Sequence, residues 1–281
     1  MKTNIKFAFV AIAVLSIALS SCKKDKENFD SSTDSQAVVE NSTADAAFSD
    51  VAGIADEAYT GSLSSYRNAG IERVTTTCAT ITFDTTTTPK HFTIDFGTTN
   101  CACKDSNYRR GIIIVSYTGA YRDSGSSHSI TFDNYFVNDN QILGTKTVVN
   151  NGRNAANHLS YSVNISGSII WSSVNGGGTS TYISSRTRVW TNGELTPMWN
   201  DDVYLISGTA SGVTRSGNSY TMSTITPLKK EIGFRHFTEG ILEWTPQGKS
   251  ARQIDYGYIN GNRDKLALVT IGGYTFIVTL R

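Results

Sequence analysis

The feature of this chain that most limits its possible folds is a change of periodicity near Ile71. From there to the C-terminus, apolar and polar residues alternate with a period of two, which is typical of half-buried antiparallel strands. The clearest stretch, Leu159 to Trp171, places seven apolar or glycine residues on one parity, and only Ile170 breaks the alternation. Its 13 residues would span roughly 43 Å at about 3.3 Å per residue, far more than an average strand. The sequence therefore predicts an extended sheet.

Similar alternating segments recur along the chain and are separated by turn residues. Segments 122–125, 150–152, 175–178 and 216–218 are rich in Gly, Asn, Asp and Ser, as hairpin connections are. The predicted strands are 73–84, 91–97, 111–121, 128–138, 142–149, 159–171, 180–191, 202–213, 218–226, 238–245, 251–258 and 265–280, the last turning back at 272–273. The predicted fold class is all-β: an extended antiparallel meander sheet of about a dozen strands with one short N-terminal helix.

The predicted helix covers about 44–59, where the spacing of apolar residues is helical rather than alternating. The apolar positions are Phe48, Val51, Ile54, Ala55 and Ala58. Ser42 or Thr43 can cap its start, and Gly61 can end it. The simplest interpretation is a helix that covers part of the sheet.

The N-terminus carries an export signal. Lys2 and Lys6 precede an apolar run over 7–19, which is too short to span a membrane as a helix. The run ends in Leu19-Ser20-Ser21-Cys22, which resembles the lipobox of bacterial lipoproteins. The resemblance implies cleavage before Cys22 and acylation of that cysteine. We therefore expect a signal peptide over 1–21, a lipidated, disordered tether over 22–45, and a single β-rich domain with its helix over 46–281.

Composition limits the partners of the mature chain. Removal of residues 1–21 takes away two lysines and no acid, which leaves 23 basic and 24 acidic residues. A chain so close to neutrality does not attract nucleic acid or anionic lipid through its overall charge. The expected partners are the membrane, through the N-terminal lipid, and a glycan or another envelope protein, with no nucleic acid.

Three cysteines remain after Cys22, in a compartment that permits disulfides. Cys78, Cys101 and Cys103 share the less apolar parity of two successive candidate strands, provided that neither strand contains a bulge. We predict a disulfide between Cys78 and Cys101 with Cys103 as a free thiol, and the exchange of Cys103 for Cys101 stays open. Four suitably spaced ligands are missing around the Cys-Ala-Cys segment, so no metal site and no cofactor is predicted.

Catalytic motifs do not stand out in this sequence. It contains no HExxH segment, no phosphate-binding glycine loop and no nucleophile elbow. Carboxylates are plentiful, and a pair of them across a groove could hydrolyse a glycoside. Trp199, which follows Pro197 in a predicted loop, is the best candidate for an exposed aromatic residue in ligand binding.

Several phrases are similar to a recurrent group of Bacteroidota lipoproteins to which no activity is attached. They include Cys78-Ala79-Thr80-Ile81-Thr82-Phe83-Asp84, Thr131-Phe132-Asp133-Asn134-Tyr135, Ile254-Asp255-Tyr256-Gly257 and Val269-Thr270-Ile271-Gly272-Gly273. The charged residues after Cys22 also resemble the tethers of such lipoproteins that reach the cell surface. This resemblance implies an outer-membrane lipoprotein, exposed on the cell surface, with a periplasmic orientation as the alternative.

The expected function follows from these observations. We predict a lipid-anchored cell-envelope protein that is not an enzyme and serves as a surface binding or structural module. The alternatives are a carboxylate-dependent glycoside hydrolase and a periplasmic lipid carrier. An open apolar face would favour the carrier, two converging carboxylates the hydrolase, and a polar sheet face with exposed aromatic residues the binding module.

Overall fold

A computed structural model describes residues 31–63, 79–103, 105–196, 201–258 and 263–280. One helix, α1 (Ser31–Leu63), precedes a sheet of 14 strands. The strands are β1 (Thr80–Asp84), β2 (Lys90–Asp95), β3 (Cys101–Ala102), β4 (Tyr108–Tyr117), β5 (Ser127–Val137), β6 (Asn140–Arg153), β7 (Leu159–Ile170), β8 (Thr179–Asn192), β9 (Val203–Val213), β10 (Ser219–Glu231), β11 (Glu239–Pro246), β12 (Arg252–Asp255), β13 (Leu266–Ile271) and β14 (Tyr274–Thr279). The predicted all-β class is confirmed.

The sheet is a meander in which almost every strand pairs with its neighbours in sequence. The strand order is β1-β2-β4 and then β5 to β14 in turn, while β3 is a short addition that pairs with β4. All pairs are antiparallel, because short turns return the chain at each step. The turn between β5 and β6 contains Asn138 and Asp139, both with positive φ, as tight hairpins require. Among the strands of the described residues, β3 is the only one that the sequence pattern missed.

Helix α1 lies against the inner face of the sheet, and its side chains contact strands along most of the sheet's width. Tyr59 packs against Phe92 and Tyr117, whereas Asp34, near the other end, pairs with Arg252 of β12. Nine consecutive residues, Glu40 to Phe48, are buried, so that every side of the helix is covered at this level. The sheet must therefore curl around the helix.

The predicted disordered tether over 22–45 is wrong from Ser31 onward, because residues 31–45 form the first half of α1. The helix has 33 residues and is about 50 Å long, twice the predicted length. Residues 22–30 lie outside the described part. The first half looks like a tether because it is polar, yet Asp34, Glu40 and Asp45 are buried in ion pairs with the sheet.

The centre of the core is an aromatic contact between helix and sheet. Phe48 of α1 lies between Phe132 of β5 and Tyr182 of β8, with ring centroids 6.1 and 6.2 Å away. Gly167 of β7 makes this approach possible, because an added Cβ would lie 2.2 Å from Phe48 Cζ. The alternation that predicts β7 therefore includes a glycine. The Phe48 ring of the helix occupies the space that a side chain at this position would need.

Candidate functional site

The candidate site is a groove of about 760 Å³ on the outer face of the sheet, the face opposite α1. It crosses the six adjacent strands β6 to β11. The outward residues that line it are Thr145, Thr147, Asn164, Ser166, Ile183, Ser185, Thr209, Ser211, Thr221, Ser223, Glu243 and Thr245. Its volume falls within the range that is usual for sites of small organic ligands.

Strand register arranges these outward residues in two rows across the strands. The first row runs Thr147, Asn164, Ser185, Thr209, Ser223, Glu243, each residue directly opposite the next on the neighbouring strand. The second row runs Thr145, Ser166, Ile183, Ser211, Thr221, Thr245 by the same pairings. Because each strand contributes residues i and i+2, all twelve side chains share one face.

The rows offer hydrogen-bonding groups with very little charge or bulk. Nine of the twelve outward residues are Ser or Thr, and each hydroxyl can both donate and accept a hydrogen bond. Asn164 adds an amide, Ile183 is the largest apolar side chain, and Glu243 is the sole ionisable residue of the lining. No aromatic, lysine or arginine side chain lines the groove within the described part of the chain. The surface can therefore bind a polyhydroxylated ligand by hydrogen bonds, without stacking or ion pairing.

The inner face presents the opposite chemistry. Four acidic residues of α1 each face an arginine from a different place in the chain: Asp34 with Arg252, Glu40 with Arg215, Asp45 with Arg186, and Asp50 with Arg109. The described helix sequence contains six acidic residues and no basic one, so the arginines that face these four come from outside the helix. These pairs bury charge that would otherwise be very costly to remove from water.

The Asp45 site joins the helix to a tyrosine and an arginine of β8, and all three side chains are buried. Asp45 accepts hydrogen bonds from the Tyr182 hydroxyl and from Arg186 Nη1, the latter at 2.7 Å. Although burial opposes the charge on Arg186, the neighbouring Asp45 carboxylate holds the arginine's pKa above its ordinary value. Burial raises the pKa of Tyr182. Both carboxylate oxygens of Asp45 accept hydrogen bonds from buried side chains of β8, whereas Arg186 Nε has no partner among the described residues, so these contacts hold the helix against β8.

Two further basic side chains, Lys146 and His236, reach α1. Lys146 Nζ of β6 donates to the Phe48 carbonyl at 2.7 Å, and burial lowers the pKa of Lys146 to about 8. His236 shares a hydrogen bond of 3.1 Å with Ser42, and burial lowers the pKa of His236 to about 4. A cavity of about 10 Å³ beside His236 has room for one water molecule and no larger ligand.

The described carboxylates do not form a hydrolytic pair in the groove. Glu243 lines it, whereas Asp139 pairs with Arg110, Glu194 with Arg153, and Glu239 with Lys229. Asp202 is fully buried at the start of β9. Groups of three or more His, Cys, Asp or Glu residues that could hold a metal ion do not occur among the described residues.

Of the residues singled out from sequence, the described ones, Cys101 and Cys103, do not line the groove. Cys22, Cys78 and Trp199 fall outside the described residues, so lipidation, the disulfide and the tryptophan site stay predictions. Cys103 is a free and buried thiol. The predicted position of Cys101 and Cys103 on the less apolar face is wrong, because both pack with the core. Strand β2 ends at Asp95, and the chain joins the sheet again as the separate strand β3. The alternation of inward and outward residues therefore does not continue from β2 to the two cysteines.

Sequence reasoning missed the two rows, although a signal for them exists. Small polar residues recur two apart on the outward parity, as in Thr145-x-Thr147, Thr209-x-Ser211 and Thr221-x-Ser223. Each pair alone is typical of any solvated strand. Only the register of six strands shows that the pairs lie side by side.

Comparison with known proteins adds no identification: no protein-family model, no curated protein and no solved structure matches this chain. Within the described residues, α1 lacks the long apolar run that a membrane-crossing helix needs. The groove and the sequence are therefore the basis for proposing a function.

Proposed function

We propose that this protein is a lipid-anchored protein of the cell envelope that binds a carbohydrate in the outer groove and does not act on it chemically. The observation that carries the proposal is the pair of hydroxyl rows in a groove of about 760 Å³. Sugars present many hydroxyl groups, and serine, threonine and asparagine side chains can both donate to them and accept from them.

The groove favours a carbohydrate over an envelope protein as the ligand. Protein interfaces usually depend on a few large anchors such as Trp, Tyr and Arg. The groove lining contains none of these residue types, and Ile183 is the one large apolar side chain among its twelve outward residues. A ligand that needs many small polar contacts suits this surface better than one that needs deep apolar pockets.

Two observations weigh against the alternative functions. A glycoside hydrolase uses two carboxyl groups across the scissile bond, whereas the groove lining contains the single carboxylate Glu243. A lipid carrier needs an accessible apolar cavity, whereas α1 occupies the inner face, with Phe48 at its centre. A binding role without catalysis is the simplest function left.

The anchor is the second part of the proposal. Acylation of Cys22 would hold the domain on the outer membrane, at the cell surface, with only residues 23–30 between the lipid and α1. Eight residues reach at most about 28 Å when fully extended. The domain would therefore stay near the membrane, where envelope glycans are concentrated.

A glycan array tests the binding proposal. Detergent-solubilised full-length protein is applied to immobilised neutral and acidic glycans, with Ser185→Leu at the groove centre and Gln253→Leu in the same row but outside the groove. We expect binding by the wild type and by Gln253→Leu, and a large loss for Ser185→Leu. Equal binding by both variants, or binding of no carbohydrate at all, would contradict the proposal.

Cell fractionation and proteolysis test the anchor. We expect the wild type to take up a radiolabelled fatty acid and to be digested by protease added to intact cells. Cys22→Ala should take up no label and leave the membrane fraction. Protection of the wild type on intact cells would place it in the periplasm instead, and labelling of Cys22→Ala would refute the assigned acylation site.

A further inference from the structure

We infer that the ligand of the groove is an uncharged, extended polysaccharide that lies across the strands and is held along an internal stretch of its chain. This inference rests on the proposed carbohydrate function and adds the direction, the charge and the form of the ligand. It follows from the dimensions of the groove, its lining and the course of the first row beyond it.

The long axis of the groove runs across the strands. Neighbouring strands lie about 4.8 Å apart, so the six strands of the groove extend over roughly 24 Å. Along each strand the groove takes up two outward residues, which are separated by about 7 Å. A ligand that makes use of both rows must therefore be long, narrow and aligned at right angles to the strands.

The groove has no fixed end, because the first row continues past it on both sides. Beyond Thr147 the same register leads to Ser129 of β5 and Ser116 of β4. Beyond Glu243 it leads to Gln253, Thr270 and Thr275 on β12, β13 and β14. The residues that border the groove in this row, Ser129 and Gln253, are polar, and the row meets a ring side chain only farther out, at His91 of β2. A long chain can thus pass through the groove and continue on both sides, so recognition does not require a chain end.

The lining selects against charged polymers. It contains no lysine or arginine to pair with carboxylate, sulfate or phosphate groups, and its one ionisable residue, Glu243, would repel an anion. The sheet's arginines that oppose carboxylates of α1, such as Arg186 and Arg252, point to the inner face and are buried. A neutral polymer is therefore the class that the groove accommodates.

Hydroxyl contacts without stacking make binding dependent on ligand length. A single hydrogen bond exchanged with water contributes little, and the lining has no aromatic ring to add stacking. Affinity must come from many contacts made together along the rows. A short sugar that covers one or two strands should bind very weakly, and affinity should rise until the ligand covers all six strands.

The test is a length series measured by calorimetry on detergent-solubilised full-length protein. The probes are size-graded β-1,4-linked and α-1,6-linked glucan oligosaccharides, the same oligosaccharides with a blocked reducing end, and polygalacturonate as an acidic polymer. For one of the two linkages we expect the affinity to grow with oligosaccharide length and then to level off. Blocking the reducing end should not change the affinity. Polygalacturonate should bind much more weakly.

Paired variants link the effect to the row. Thr147→Val with Thr209→Val removes two hydroxyls inside the groove at nearly constant shape, and Thr270→Val with Thr275→Val removes two from the same row outside it. We expect a loss of about tenfold or more for the first pair and little change for the second.

The outcomes separate this inference from the proposed function. Binding that needs a free chain end, does not depend on length, or favours polygalacturonate would overturn the inference, while the carbohydrate-binding proposal would stand if Ser185→Leu still abolished it. Binding of neither glucan series would also overturn the inference. Failure of every glycan on the array, or equal binding by Ser185→Leu and Gln253→Leu, would overturn both.

Discussion

The two faces of the sheet are built from the same strands yet carry opposite chemistry. In β8, Tyr182, Ser184 and Arg186 point inward and are buried, whereas Ile183 and Ser185 point outward into the groove. The inner face is specific, because individual arginines there pair with individual carboxylates of α1, as Arg186 does with Asp45 and Arg252 with Asp34. The outer face is repetitive, because one kind of side chain recurs from strand to strand. This contrast indicates that the inner face determines the fold and leaves the outer face available for binding.

The largest expected effect is the loss of an inner ion pair. Arg186→Leu leaves Asp45 buried without its counter-charge, and we expect the free energy of unfolding to fall by about 3–5 kcal/mol. Thr187→Val, on the next residue and the outer face, should change it by less than about 0.5 kcal/mol. Urea titration followed by circular dichroism measures both. Similar losses in the two variants would remove the distinction between the faces.

The pH dependence of stability should carry the signature of Lys146. Its pKa is about 8 in the folded protein and 10.5 in the unfolded chain, so the unfolded state binds more protons between these values. Stability should therefore rise as the pH increases from about 8 to 10.5, by about 3 kcal/mol in total from this group. In Lys146→Met this increment should be missing. A pH profile of urea midpoints that is the same in both proteins would contradict the assignment.

Contact between Phe48 and the sheet should be sensitive to a single methyl group. Gly167→Ala places a Cβ against the Phe48 ring and the Leu143 carbonyl, and we expect a loss of about 1–3 kcal/mol in stability. Phe48→Leu in the same chain should recover part of it, and Ser166→Ala on the outer face is the matched control. Thermal unfolding measures the series. Full tolerance of Gly167→Ala would mean that the ring does not rest on this glycine.

The smallest expected effect on stability is that of a thiol introduced at Ser185. This thiol should differ clearly in accessibility from the buried thiol of Cys103. Ser185→Cys adds an exposed thiol to the groove and should change stability by less than about 0.5 kcal/mol. Maleimide should label this thiol rapidly in the folded protein, whereas the buried Cys103 should react only after unfolding. Mass spectrometry after timed labelling distinguishes the sites. Rapid labelling of Cys103 in the native protein would show that the inner face is open.

Most of the fold could be predicted from the sequence, because strand signals are local. The alternation over Leu159 to Trp171 and the turn residues between strands are enough to indicate β7 and its hairpin neighbours. The first half of α1 could not be recognised in this way. Its buried positions include Asp34, Glu40 and Asp45, whose partners lie more than 100 residues away, so no apolar period marks them.

The position of the groove residues could not be predicted from sequence patterns for a related reason. A serine such as Ser185 looks like any solvated strand residue until register places it between Asn164 and Thr209. Register depends on the length and backbone geometry of each turn, and an error of one residue would move every side chain to the other face. The sequence pattern therefore predicts the elements well but leaves the surface pattern open.

The position of α1 at the start of the chain has a consequence for the order of assembly. Ribosomes complete the helix before any strand exists, and Arg252, the partner of Asp34, follows 218 residues later. Each of the four paired acidic residues of the helix can only be hydrated until its own arginine has been synthesised. The six acidic residues, with no basic residue among them, keep this segment hydrated, and their like charges repel one another before the arginines are available. The first described segment to be synthesised is thus among the last to gain all of its ion-pair partners. Its acidic composition is compatible with remaining hydrated until those partners have been made.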